Sequence, residues 1–304
     1  MSVFQAIILG VVQGIAEFLP ISSSGHLAVA QRLFGLEDAP LLFDVMLHLA
    51  TLAAVILYFR KKIARLFAIL FRWILRKGEV SPSATMASPF SPTPSAGESP
   101  ATPPANTELD LLTGTDTLGR KTILAVIFAT LVTGVIGVFT SKLIPELPLK
   151  VTCAGFIVTA CLLIFSSLWS KKHDSKKSGE PKGISILQSL FIGFMQGIGT
   201  LPGISRSGST IAGAQLSGVN RAAAGEFSFI VSIPAILGAF VLEAKDLGEV
   251  SSQIGVLPVF CGCLAAFAWG YLSLSLLMKL IRRGKLEWFA CYLIPLGILG
   301  LIFF

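Results

Sequence analysis

Two short stretches carry most of the residues able to do chemistry. The first holds Gln13, Glu17, Ser22, Ser23, Ser24, Gly25 and His26, and the second holds Ser205, Arg206, Ser207, Gly208, Ser209 and Thr210. Ser23 is a hydroxyl nucleophile, and His26, three residues on, offers an imidazole to relay its proton. Gln13 and Glu17 are four apart, so one helix face presents both. Their oxygens could hold a hard divalent cation, with substrate phosphates as further ligands. In the second stretch, glycines let backbone N–H groups converge at a helix start, and hydroxyls and a guanidinium complete an anion cradle. An acid–base set facing an anion clamp suits phosphoryl transfer. Blander readings stand beside this one. Arg206 could pair with Glu17 or a helix C-terminus and merely lock two halves together, a helix cap explains Ser209, and His26 could be a hydrogen-bonded packing residue.

The elements around these stretches repeat. A shift of 183 residues lays Gln5–Leu27 on Gln188–Thr210 with nine of 23 positions identical, among them Gln13/Gln196, Ser22/Ser205, Ser24/Ser207 and Gly25/Gly208. Chance likeness of two apolar helices would match Leu and Ile, not Gln, Ser and Gly at the break. The copies differ where it matters: Glu17 becomes Thr200, Ser23 becomes Arg206 and His26 becomes Ser209. If the two loops meet, they build one composite site at the bilayer midplane.

That a bilayer is involved follows from composition. Of 304 residues, 53% are hydrophobic and 13% charged, against about 25% charged in soluble domains. Six spans are expected, at 41–59, 122–141, 149–169, 225–243, 254–279 and 287–304. The apolar regions 3–35 and 186–219 are broken by Ser, Gly and Pro, so each is expected to enter the membrane and return. Irregular backbone at that depth needs protein or a wet cavity around it. The fold class is therefore an all-α polytopic membrane protein. Each half is a re-entrant helix–loop–helix plus three transmembrane helices, and an odd number of crossings inverts the second half. The divisions are 1–77 (hairpin and span one), 78–119 (a cytoplasmic insert), 120–170 (spans two and three), 171–185 (a basic cytoplasmic loop) and 186–304 (the second repeat). Seven of the sixteen prolines lie in 82–104, so a disordered insert is expected. By this plan 19 of the 24 Lys and Arg fall on one side, which is cytoplasmic by the positive-inside rule, with both termini external. The net charge of +7 is thus membrane orientation, and no nucleic-acid motif is present.

Asp44 and His48 are secondary candidates, expected to make a structural hydrogen bond between helices. Glu226, Glu243 and Asp246 read as solvated ends. The five cysteines (Cys153, Cys161, Cys261, Cys263, Cys291) read as small core residues without a disulfide framework. Met1–Leu19 lacks a basic n-region and carries Glu17, so it reads as retained and not as a signal peptide. Buried charge is costly, roughly 2.5–3.5 kcal/mol for a central Arg, which makes Arg206 a site candidate in its own right.

The run Gln13-Gly14-Ile15-Ala16-Glu17-Phe18-Leu19-Pro20-Ile21-Ser22-Ser23-Ser24-Gly25-His26 and the run Pro202-Gly203-Ile204-Ser205-Arg206-Ser207-Gly208-Ser209-Thr210 resemble the two signature motifs of the undecaprenyl-diphosphate phosphatase family of the bacitracin-resistance type. Phe43–Leu52 and Phe227–Pro234 look like further family segments. The likeness implies hydrolysis of the C55 isoprenoid diphosphate to its monophosphate, recycling the lipid carrier of peptidoglycan synthesis. It also implies a bacterial inner-membrane location, a site open to the periplasmic side and a need for Mg²⁺ or Ca²⁺. The family carries Glu or Gln at position 13, and Gln13 here leaves ligation mainly to Glu17 and the diphosphate. A second copy of the chain is a further candidate partner, as a homodimer. The expected mechanism has Arg206 and loop amides holding the terminal phosphate, Ser23 attacking in line and His26 managing protons. Direct attack by water is the competing version. A transporter or flippase of polyprenyl phosphate lipids, or a resistance protein that only binds the diphosphate head, are the rival classes.

Overall fold

The computed structural model describes residues 1–36, 41–75, 112, 115–143, 147–174, 183–243 and 255–304. Most of the expected insert and of the basic loop at 171–185 lies outside these residues, as do Asp246 and the side chain of Glu243. Among the described residues all regular structure is helical. The first half holds α1 (Val3–Phe18), α2 (Ser23–Leu33), α3 (Leu41–Tyr58), α4 (Arg60–Ile74), α5 (Asp116–Leu143) and α6 (Leu149–Asp174). The second holds α7 (Ile186–Ile198), α8 (Arg206–Leu216), α9 (Arg221–Glu243), α10 (Val256–Arg282) and α11 (Trp288–Phe303). The helices α5, α6, α9 and α10 are each long and apolar enough to cross a bilayer, and the chain is a multi-pass membrane protein. At 16 residues, α11 falls slightly below the usual length of a span.

The duplicated stretches fold alike in detail. Both α1 and α7 open with a capping box, Ser2 with Gln5 and Ser185 with Gln188, each Ser hydroxyl accepting from the Gln amide while the Gln side chain accepts from the Ser amide. Such reciprocal bonds satisfy donors that a helix start leaves orphaned. Both α2 and α8 run eleven residues and end on a glycine with positive φ, Gly35 at 65° and Gly218 at 86°. In each, the next amide reaches back to close the turn: Leu36 N to Gln31 O and Val219 N to Ala214 O, both 2.9 Å. These end caps extend the 183-residue correspondence beyond the segment matched by sequence.

Each hairpin packs mainly on a helix of the other half: α1 on α10, and α7 on α5. Small residues make the approach possible, as van der Waals packing between membrane helices requires. A Cβ on Gly14 would stand 2.6 Å from the Ala266 carbonyl, and one on Gly193 would stand 2.5 Å from that of Ala129. The helices that precede the two breaks are thereby packed tightly against α10 and α5.

One helix adds to the expected plan, and two expectations need correction. Residues 60–74 form an amphipathic helix bent 78° from α3. Its Leu66 and Ile69 join the core while Phe67, Phe71 and Ile74 lie exposed. Glu226 is buried, not solvated, because Lys62 Nζ at 2.5 Å and Arg282 at 3.7 Å neutralise it. Of the five cysteines only Cys153 is buried; Cys161 and Cys291 are exposed on the apolar belt. A thiol there faces hydrocarbon and needs no core.

Candidate active site

The turn between α1 and α2 is built around one strained residue. Ser22 has φ +70°, a left-handed conformation that costs a non-glycine residue about 1–3 kcal/mol. Its carbonyl accepts from the His26 amide at 3.2 Å and from His26 Nδ1 at 2.8 Å. Because a carbonyl only accepts, Nδ1 carries a proton, and in the neutral ring Nε2 accepts from the Tyr292 hydroxyl at 2.8 Å. The two rings also stack, with centroids 5.7 Å apart. Both nitrogens of His26 are therefore engaged away from Ser23, contrary to the expected Ser23–His26 pairing.

Ser23 turns instead to Glu17. Its hydroxyl donates to Glu17 Oε2 at 2.6 Å. Gln13 Nε2 donates to the same oxygen at 3.0 Å, as the four-residue spacing on α1 requires. Arg206, the first residue of α8, closes on the other oxygen, Glu17 Oε1. The carboxylate, 2% exposed, thus gathers a hydroxyl, an amide and a guanidinium from both repeats. Ion pairing and phosphate binding are not exclusive here, since a guanidinium has donors to spare.

His48 is the residue that spacing alone undervalued. Asp44 does accept from Gln31 of α2 at 2.9 Å, the expected interhelical bond. His48 donates from Nδ1 to the Asp44 carbonyl at 2.8 Å, which leaves Nε2 facing Glu17 Oε2 at 3.6 Å. The only cue in the sequence was a second histidine one turn from Asp44, and nothing local ties it to Glu17. Tyr292 was likewise illegible, lying 266 residues from its partner.

A cavity of about 310 Å³ opens over this centre, lined by Glu17, Ser22, Ser23, Ser24, His48, Ser205 and Arg206. Its outer wall is apolar, from Val45 and Leu49 of α3 and Ile236, Ala239 and Phe240 of α9. The other expected residues sit behind. Ser205 is the N-cap of α8, accepting from the Gly208 amide at 3.1 Å, so Ser205 and not Ser209 caps that helix. Ser207 and Thr210 line a smaller cavity that Glu17 and Arg206 also border. The Ser209 hydroxyl is buried without a partner among the described residues. Gly25 admits the Phe156 ring, which would lie 2.5 Å from a Cβ there.

For a hard cation the chain offers few ligands. Among the described residues there is no cluster of three His, Cys, Asp or Glu. Gln13 Oε1, however, is a buried acceptor with no partner among them, one residue pair from Glu17. Two hard oxygens fit Mg²⁺ or Ca²⁺ when diphosphate oxygens supply further ligands.

Comparison with known proteins agrees with this chemistry. An undecaprenyl-diphosphatase from Treponema denticola is 45% identical over 298 residues, covering 98% of this chain and 96% of the relative. Proteins of the same name from Borreliella burgdorferi and Carboxydothermus hydrogenoformans are 36% and 34% identical, each over at least 97% of both chains. The pattern of the family described as bacitracin resistance protein BacA runs through residues 6–299, and the chain belongs to that family.

Proposed function

We propose that the chain hydrolyses undecaprenyl diphosphate to undecaprenyl phosphate and inorganic phosphate, recycling the lipid carrier of peptidoglycan synthesis. Relatives of that name along the whole chain support the reading, as does membership of a bacitracin-resistance family. The observation that carries it is the meeting of Ser23 and Arg206 on one buried carboxylate inside an open cavity. With the donors that Glu17 does not use, Arg206 grips the terminal phosphate, a bidentate match that lysine could not supply. Ser23 attacks phosphorus as the bond to the bridging oxygen breaks, and undecaprenyl phosphate departs. Glu17 takes the Ser23 proton, the role first assigned to His26, and water then hydrolyses the phosphoserine. His26 and Tyr292 hold the Ser22 carbonyl in place. The apolar wall from α3 and α9 receives the first isoprene units.

Glu17 and Gln13, with diphosphate oxygens, would hold a Mg²⁺ or Ca²⁺ ion, which would supply charge neutralisation to the departing phosphate. The second repeat runs inverted to the first, both termini lie outside, and the cavity opens to the outer face of the bacterial cytoplasmic membrane. A homodimer is the proposed assembly, and nucleic acid is not a partner. The test is phosphate release from a polyprenyl diphosphate by detergent-purified protein, with and without chelator. Release that vanishes in Arg206→Ala and Glu17→Ala supports the reading. Lipid movement across vesicles without phosphate release would replace it with a flippase.

A further inference from the structure

Arg206 is gripped by Glu17, and a second, smaller cavity touches both residues. This space of about 10 Å³ is further bounded by Gln196, Thr210, Ser228 and Ser232, and it has room for one water. Gln196 is fully buried and occupies the position in α7 that Gln13 occupies in α1. Its Nε2 donates to Thr133 Oγ1 at 3.0 Å. The Thr133 hydroxyl gives its own proton to the carbonyl of Ala129 or Gly193, at 2.9 and 3.0 Å. The amide orientation is therefore fixed, and Oε1 is a buried acceptor without a partner among the described residues. Leaving such an acceptor bare is costly. The hydroxyls nearby are also spent as donors, Thr210 on the Arg206 carbonyl at 2.6 Å and Ser232 on that of Phe229 at 2.9 Å. Acceptors thus line one side and a guanidinium rich in donors lines the other. Charge decides against an ion, since Glu17 already neutralises Arg206.

We propose that Gln196 is a positioning residue for Arg206, acting through one buried water. The water accepts from the guanidinium and donates to Gln196 Oε1 and a hydroxyl of the α9 pair Ser228 and Ser232. The two glutamines of the repeat then brace the two halves of the centre, Gln13 directly on Glu17 and Gln196 indirectly on Arg206. The proposal rests on the reading that Arg206 holds the diphosphate.

The test uses full-length Gln196→Met, which keeps shape and removes the acceptor, and Ser232→Ala. Turnover of polyprenyl diphosphate and binding of methylenediphosphonate, a head group that is not hydrolysed, are both measured. Loss of a supporting shell of this kind costs roughly tenfold. The expected result is a KM and a methylenediphosphonate Kd raised about tenfold in Gln196→Met, and by less in Ser232→Ala. A merely structural role would lower kcat through a smaller active fraction and leave both constants alone. That outcome, or constants within twofold of the parent in both variants, overturns the proposal. If Gln196→Met does not accumulate folded, Ser232→Ala decides alone. Wild-type protein that binds the bisphosphonate but releases no phosphate would sink the hydrolase reading instead, while the binding comparison stays readable.

Discussion

The two break loops share a scaffold and divide the work. Each follows a capping-box helix and precedes an eleven-residue helix with a glycine-closed end. In each, serines two apart touch through their hydroxyls, Ser22 with Ser24 at 3.4 Å and Ser205 with Ser207 at 3.2 Å. The residue with positive φ, however, moves. In the second loop it is Gly203, φ +83°, packed so closely on the Thr152 backbone that no side chain would fit. In the first it is Ser22, right beside the nucleophile. The second loop is thus shaped by packing, and the first carries its strain where the chemistry is proposed. The two loops share a backbone, and the differences at 23/206 and 17/200 suit the first to the proposed nucleophile and the second to the proposed anion clamp.

That division can be broken by mutation. Ser23→Ala should remove a phosphoenzyme and lower kcat by about 10⁴-fold with KM little changed; rapid-quench measurement of a phosphate burst reads this, and full activity without a burst would restore direct water attack. Arg206→Ala should cost about 10³-fold in kcat/KM with a large share in KM, and an effect confined to kcat would deny it the clamp. Stability should distinguish the loops in a different way. Gly203→Ala should destabilise by roughly 2 kcal/mol, whereas Ser22→Gly should be neutral or stabilise by about 1 kcal/mol or less. Thermal unfolding in detergent checks both, and equal losses would mean that Ser22 is not strained. The smallest effect is expected for Tyr292→Phe, which removes one hydrogen bond worth about 1 kcal/mol. A roughly fivefold fall in kcat/KM is the expected outcome, and a loss as large as that of Ser23→Ala would return His26 to the centre of the chemistry.

Much of this was legible without coordinates because it is local or repeated. Apolar run lengths gave the long helices, and the 183-residue shift gave both loops. The i to i+4 spacing gave the Gln13–Glu17 contact. What escaped notice depended on distant partners. Glu226 looks solvated until Lys62 and Arg282 arrive from α4 and α10. Ser23 has a histidine three residues away and still bonds to Glu17, because the strained Ser22 carbonyl captures the ring first. Residues 60–74 carry an apolar stripe at helical spacing, but their basic residues are read only for membrane orientation.

The exchange of partners between α1 and α10, and between α7 and α5, ties the two halves as interlocked hands are tied. A half-chain on its own would expose a glycine-floored groove with nothing to fill it and half a centre with no counter-charge. Neither repeat can therefore complete its packing or its share of the centre without the other.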